Sequence, residues 1–235
     1  MPPSDPARYN CRRSILCVER RFIMGSGKER NRPLTSDERT RLALFQETAA
    51  RLEAAGYERT ELTISIVRAN LYAILVALFL LIGGTFLYLT VHGEVAMDTG
   101  GGGLLTIIVA FVVLTVVHEL VHGLTWAMFT EHHWGDIAFG IMRRYFTPYC
   151  SCKVPLAKGP YITGVLMPLV VTGIVPALIA LAVGSFLWFI IGIIMMVSAT
   201  GDVMIAVGIL MRKSSATEAV YLDHPTLGGV VVFER

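Results

Sequence analysis

The stretch LLTIIVAFVVLTVVHELVHGLTWAMF, residues 104–129, decides the fold of this chain. It exceeds the ~20 mainly apolar residues with which a helix crosses the ~30 Å hydrocarbon layer of a bilayer. Two histidines and a glutamate lie inside it, although a charge at the centre of a membrane helix costs ~2.5–3.5 kcal/mol on insertion scales. The stretch therefore predicts a transmembrane helix whose polar side chains have a function.

The composition of the whole chain agrees with a membrane location. Hydrophobic residues make up 54% of it, charged residues 16%, and the mean hydropathy is +0.61, which is too apolar for an ordinary soluble domain. The formal net charge of +2 gives no broad basic field for binding nucleic acid. The expected partner is the lipid bilayer, and no nucleic acid is expected.

Three further segments are long and apolar enough to cross a bilayer: Leu71 to Val91, Tyr161 to Val183 and Phe186 to Met211. The predicted fold class is therefore all-α, a polytopic membrane protein with four transmembrane helices. Lys and Arg flank the spans everywhere except in the loop from His92 to Gly103 and the turn after the third span. By the positive-inside rule both termini are cytoplasmic, and we expect a multi-pass protein in the plasma membrane of a prokaryote.

The loop from Thr130 to Pro160 could contain a small β-hairpin. Alternation from Ile137 to Ile141 predicts one strand, Arg143-Arg144 could form the turn, and Tyr145 to Cys152 could return as the second strand. An ordinary cytoplasmic loop is an equal alternative. Cys150 and Cys152 within it are expected to be reduced thiols, because the four cysteines of the chain show no disulfide framework. They could instead bind a metal as a CxC pair, but no second pair accompanies them.

The motif His118-Glu119-Leu120-Val121-His122 carries the chemistry of the second span. Side chains four residues apart on a helix are separated by only ~40° around it and ~6 Å along it, so two imidazoles can bind one metal ion. Glu119 projects from the same turn and can act as a general base toward water at that ion. His118 and His122 are thus candidate zinc ligands, and Glu119 is the candidate catalytic residue.

Asp202 is the candidate third ligand, because catalytic zinc usually takes three protein ligands and Asp202 is the one other acid within a predicted span. The second and fourth spans should run in the same direction. At ~1.5 Å per residue, Asp202 then lies at a depth of ~24 Å, between the two histidines at ~21 and ~27 Å. The alternative is a buried acid that is hydrogen bonded to Ser198, Thr200 or another span.

Neighbouring residues suggest simpler structural roles. Gly123 and Gly201 would allow close approach of helices, and Trp126 and Trp134 fit an interfacial belt. Two prolines in the third span are expected to kink it rather than open a cavity, and three histidines outside the spans are expected to be solvated. These residues are Pro168, Pro176, His132, His133 and His224.

Five features together resemble the zincin peptidase family of membrane proteins, which is distantly similar to the site-2 proteases. They are HELVHG, the TPYC segment at Thr147 to Cys150, the proline-containing third span, SATGD in the fourth span and Asp223-His224-Pro225. The resemblance covers roughly Tyr57 to Arg235. It implies zinc binding by His118, His122 and Asp202, with Glu119 as the general base, although Val203 follows Asp202 where site-2 proteases usually have glycine.

The chain is accordingly expected to be a zinc-dependent, membrane-embedded peptidase with one Zn²⁺ ion, acting on an unidentified peptide or membrane-protein substrate, alone or as a homo-oligomer. The alternatives are a metal-binding membrane protein without enzyme activity and a pseudoprotease adaptor. Four divisions of the chain are expected: a disordered segment 1–34, a cytoplasmic amphipathic lead-in helix 35–70, a four-helix membrane metalloprotease domain 71–211 and a cytoplasmic C-terminal tail 212–235. The true start of the protein could be Met24.

Overall fold

The computed structural model of the protein describes residues 36–95, 102–142 and 147–235. The predicted disordered segment 1–34, including Met24, and the predicted Arg143-Arg144 turn lie outside the described residues. The first described element is helix α1, Ser36–Ala54, which forms the first part of the predicted lead-in helix 35–70. A strand, Glu58–Thr63, lies in its second part, where helix was expected.

Long apolar helices form the membrane part of the molecule. They are α2 (Ile66–His92), α3 (Gly102–Ala127), a third helix made of α4 (Lys158–Pro168), a π-helical segment (Leu169–Ile174) and α5 (Val175–Val183), and the pair α6 (Phe186–Ser198) and α7 (Thr200–Met211). Three candidate spans, Val67–His92, Gly102–Ala127 and Lys158–Val183, are long and apolar enough to cross a membrane. These helices are those of a membrane protein, and their large apolar side chains, such as Phe79 and Leu104, are exposed as lipid contact requires.

The helix pair α6 and α7 is bent by 46° at its break, and it counts as a fourth span if both parts cross together. The hydroxyl of Ser198 donates to the carbonyl of Met195, and that of Thr200 donates to the carbonyl of Val197. These bonds satisfy carbonyl groups near the interruption, which would be costly to leave unpaired in an apolar medium. The break places Asp202 in the first turn of α7.

The chain is mostly helical, as predicted, but it also contains an antiparallel four-stranded sheet that the predicted all-α class did not include. Its strands are β1 (Glu58–Thr63), β4 (Leu156–Ala157), β5 (Ala219–Asp223) and β6 (Gly229–Glu234), in the order β1-β6-β5-β4. Glu58 pairs with Glu234 from the other end of the chain, so the pairing is not visible locally. The first four residues of β6 after Gly229 are fully buried, and a strand buried on both faces lacks the alternation that marks a strand in sequence.

The sheet is covered on both faces. On one face Phe45 and Ala49 of α1 pack against side chains that include Val231 and Phe233. On the other face Val230 and Val232 belong to a core shared with the candidate spans. Arg212, at the end of α7, binds both carboxylate oxygens of Glu234 and the hydroxyl of Thr60, which joins the last helix to the sheet.

The loop between the second and third candidate spans contains the predicted hairpin. Strands β2 (Ile137–Met142) and β3 (Thr147–Cys152) pair in antiparallel register, with Ile137 opposite Cys152. The hairpin lies against α3 at Gly123, where an added Cβ would stand 2.4 Å from Phe139. Gly123 therefore admits the hairpin rather than another helix. At Gly201 a Cβ would meet nothing within 4 Å, so its predicted role in close helix packing was wrong.

Candidate metal centre

Three side chains from two helices meet beneath the hairpin. His118 and His122 lie one turn apart on α3, and Asp202 reaches them from the first turn of α7. The Oδ2 atom of Asp202 is 3.1 Å from Nε2 of His118 and 3.6 Å from Nε2 of His122. Both histidines are buried, with 7% and 5% of their surface exposed. The structure thus brings together the three residues that the sequence had placed at one depth.

Within the described part of the chain, these residues form the one group of three or more His, Cys, Asp or Glu that could hold a metal ion. Their ligand atoms all lie within 4.8 Å of one another. Two imidazole nitrogens and a carboxylate oxygen are the ligand types of catalytic zinc sites, which keep a fourth position open. The donor set therefore fits a zinc ion.

The third candidate span lies behind both histidines. Nδ1 of His122 is 2.8 Å from the carbonyl oxygen of Gly164, and Nδ1 of His118 is 3.5 Å from Oγ1 of Thr172. A carbonyl oxygen can only accept, so Nδ1 of His122 must carry a proton in this bond. Its Nε2 then presents a lone pair on the side of Asp202, as a metal ligand must.

Trp126 is buried in this site, so its predicted place in an interfacial belt was wrong. Its indole stacks on His122 with 5.2 Å between ring centroids and 16° between planes. The indole N–H donates to the carbonyl of Tyr161. A Cβ added at Gly164 would stand 2.1 Å from Nε1 of Trp126, so the site needs glycine there. Trp134, in contrast, is half exposed.

Glu119 connects the helix to the hairpin. The backbone N–H of Cys150 on β3 lies near its carboxylate, and the side chain lies close enough to His118, His122 and Asp202 to interact with their charges. The carboxylate is half-buried beside the candidate metal ligands. This is the position that a general base needs if it is to act on a water molecule at the centre.

Asp223 supports the hairpin from the sheet side. Its carboxylate accepts hydrogen bonds from the hydroxyl of Tyr161 and from the backbone N–H of Cys152. Burial raises the pKa of Asp223 to about 6, although both hydrogen bonds act in the opposite direction. Burial also raises the pKa of Cys152 to about 12 and that of Cys150 above its usual range, so both remain protonated thiols.

The other predicted histidine roles have mixed outcomes. His132 is exposed, as expected for a solvated residue. His224 is instead mostly shielded, with 9% of its side-chain surface exposed, and its Nδ1 accepts hydrogen bonds from the backbone N–H groups of Thr226 and Leu227. His92 contacts the carbonyl of Leu181, and its ring packs on Tyr88. None of these three belongs to the metal-binding group found among the described residues.

Sequence reasoning missed Gly164, Thr172 and Asp223 as parts of the site. Gly164 and Thr172 lie on the apolar third span, where the sequence drew attention to the prolines instead. Both prolines flank the π-helical segment: Pro168 precedes it directly, and Pro176 follows it by two residues. A π-helical turn commonly marks a functional site, so these prolines were the available signal for this part of the helix.

Comparison with known proteins gives one match. The model of the family described as "Putative zincin peptidase" matches residues 111–217, a range that contains all three candidate ligands and Glu119. No curated protein and no solved structure matches the chain.

Proposed function

We propose that this chain is a zinc-dependent, membrane-embedded peptidase that hydrolyses peptide bonds in or near the bilayer, as site-2 proteases do. The match of residues 111–217 to the family model described as "Putative zincin peptidase" supports the proposal. The observation that carries the proposal is the convergence of His118, His122 and Asp202 on one point beside Glu119. The substrate is a peptide or a segment of a membrane protein.

In the proposed site, Nε2 of each histidine and a carboxylate oxygen of Asp202 would hold one zinc ion. When bound, zinc supplies Lewis acidity, which polarises a substrate carbonyl and lowers the pKa of a water molecule toward ~7. The Asp202 carboxylate offsets the positive charge of the ion in this apolar region, where an unpaired charge is costly.

Glu119 moves the protons in the proposed reaction. Its carboxylate takes a proton from the attacking water and later gives it to the amine nitrogen that leaves when the peptide bond breaks. The N–H of Cys150 faces the carboxylate from the side of the hairpin, while the turn of α3 keeps it beside the two histidines. Trp126 excludes water from one face of the His122 ring.

We further propose that α6 and α7 cross the membrane as one bent span, which makes four spans in all. In this topology both termini, the hairpin and the four-stranded sheet lie on the cytoplasmic side. Basic residues support this orientation, since Arg59, Lys153, Lys158 and Arg212 all lie at the sheet end of the helices.

The decisive experiment compares wild type with Glu119→Gln, His118→Ala and Asp202→Ala. Each full-length chain is purified in detergent, its zinc content is measured, and it is incubated with fluorescein-labelled casein and with single-span membrane proteins in proteoliposomes. We expect Glu119→Gln to retain about one zinc ion per chain and to lose cleavage by ~10²–10⁴-fold, the usual contribution of a general base. We expect both ligand variants to lose zinc.

Glu131→Gln is the matched control, because Glu131 is an exposed glutamate outside the candidate spans. This substitution should change neither the zinc content nor the rate of cleavage. Unchanged cleavage by Glu119→Gln would remove that residue from the mechanism. Zinc retained by Asp202→Ala would show that the third ligand is another group. Zinc binding by wild type without cleavage of any substrate would favour a metal-binding protein or a pseudoprotease.

A further inference from the structure

Thr172 is a buried polar residue in the π-helical segment, and the chemistry described so far makes no use of it. Only 1% of its surface is exposed. The segment has true π geometry at its end, where the N–H of Val175 donates to the carbonyl of Val170, five residues earlier. Such segments are rare and frequently occur at functional sites.

The hydroxyl of Thr172 connects two fixed groups. Its Oγ1 is 2.8 Å from the carbonyl oxygen of Pro168 and 3.5 Å from Nδ1 of His118. The carbonyl can only accept, so the single hydroxyl proton goes to Pro168. The oxygen then faces His118 with a lone pair, and Nδ1 of His118 must supply the proton for that contact.

This assignment turns the Nε2 lone pair of His118 toward an ion held beside Asp202, whose Oδ2 lies 3.1 Å away; without an ion that contact is a hydrogen bond in which Nε2 carries the proton. The carbonyl of Gly164 fixes the same tautomer at His122. The third span thus orients both imidazoles from behind, one through a backbone carbonyl and the other through a side chain. Only the second of these can be removed by substitution without altering the backbone.

The π-helical segment packs closely against α6. A Cβ added at Gly173 would stand 3.1 Å from the backbone nitrogen of Met196 on α6, so the two backbones are in close contact there. Thr172 therefore has little freedom to move away from His118. Because α6 continues into α7, the same packing links the support of His118 to the helix that carries Asp202.

We propose that Thr172 is a positioning residue of the metal centre: its hydroxyl accepts the Nδ1–H of His118 and so keeps Nε2 of that histidine available as a ligand. The proposal rests on the zinc site of the proposed function. Partners of this kind around ligating histidines typically contribute 10–100-fold in metal affinity. If the hydroxyl merely satisfied Pro168, its replacement by a methyl group would leave metal affinity unchanged.

The test measures zinc affinity of the full-length chain in detergent by competition with a chelator. Thr172→Val keeps the shape of the side chain and removes the hydroxyl, so we expect affinity to fall ~10–100-fold. Thr172→Ser keeps the hydroxyl and should stay within about threefold of wild type. Cobalt substituted for zinc should show a changed visible absorption spectrum in Thr172→Val alone, which a purely structural role would not produce.

Thr125→Val is the matched control. Thr125 is also buried, and its hydroxyl donates to the carbonyl four residues earlier, but that hydrogen bond is to Val121 and involves neither histidine. Its zinc affinity should equal that of wild type. Equal affinity in Thr172→Val and wild type would overturn the proposal while leaving the zinc site intact, whereas wild type that binds no zinc would overturn both.

A second measurement covers the case in which Thr172→Val does not fold. Nitrogen-15 spectra of zinc-loaded wild type with labelled histidine, assigned by comparison with His118→Ala, report which ring nitrogen of His118 binds the ion and which carries the proton. We expect zinc at Nε2 and the proton at Nδ1. Zinc at Nδ1 with a protonated Nε2 would overturn the proposal.

Discussion

At the scale of single residues, Asp223 makes the stability of the protein depend on pH. Burial raises its pKa to about 6, above the ordinary value of 3.8, so folding favours the neutral form. The stability that this preference contributes is fully present below about pH 3.8 and is lost as the pH rises through about 6. A shift of this size corresponds to a loss on the order of 3 kcal/mol.

We expect Asp223→Asn to remove this part of the pH dependence. Denaturant unfolding of wild type and variant in detergent, with a chelator present, would be followed from pH 4 to pH 7.5. The free energy of unfolding of wild type should decline relative to that of the variant over this range. A constant difference between the two curves would show that Asp223 titrates normally in the folded protein.

The residues of the candidate site differed in how visible they were in the sequence. His118, Glu119 and His122 were predictable because helical spacing is local, and Asp202 was predictable because ionisable residues are rare in apolar spans. Thr172 and Asp223 were not, since threonine is common in membrane helices and Asp223 lies in a strand that had not been recognised. Trp126 was misplaced because its indole N–H donates to the carbonyl of Tyr161 on the third span, and no local pattern shows that contact.

At the scale of elements, the contact between α3 and α4 depends on Gly164. A methyl group there would collide with Trp126 and shift the carbonyl that holds His122. We expect Gly164→Ala to lower the free energy of unfolding by about 1–3 kcal/mol, the usual cost of overpacking, and to weaken zinc binding as well. Both quantities can be measured on purified protein in detergent.

Gly83→Ala provides the control for that prediction. Gly83 lies inside α2, and an added Cβ would meet nothing within 4 Å. Alanine favours a helix over glycine by up to about 1 kcal/mol, so this variant should be as stable as wild type or slightly more stable. If Gly164→Ala behaved in the same way, the close packing of Trp126 against α4 would not be required.

The elements also show which patterns are readable in one sequence. Long apolar stretches predicted the helices because length and hydropathy are properties of a continuous segment. The strands β1, β5 and β6 went unrecognised because they are short and pair with distant partners. The hairpin of β2 and β3 was predictable, since its two strands adjoin and one of them alternates.

At the scale of the whole molecule, the four-stranded sheet connects α1 to the end of the membrane helices, and neighbouring valines on β6 test that connection. Val231 packs with Phe45 of α1, whereas Val232 belongs to the core that contains Trp126 and Tyr161. Both valines are fully buried. Replacing either by alanine removes the same volume, so each variant should lose about 2 kcal/mol of stability.

The two variants should nevertheless differ in where the structure loosens. We expect Val232→Ala to increase hydrogen exchange at the backbone amides around Trp126 and Cys152, and to weaken zinc binding, because its cavity opens toward the elements that support His122 and Glu119. Val231→Ala should increase exchange in α1 and leave the metal centre unchanged. Hydrogen exchange read by mass spectrometry distinguishes the two patterns. Identical patterns would show that the sheet responds as one rigid unit, and the metal centre would then depend on the sheet as a whole rather than on its membrane-side face.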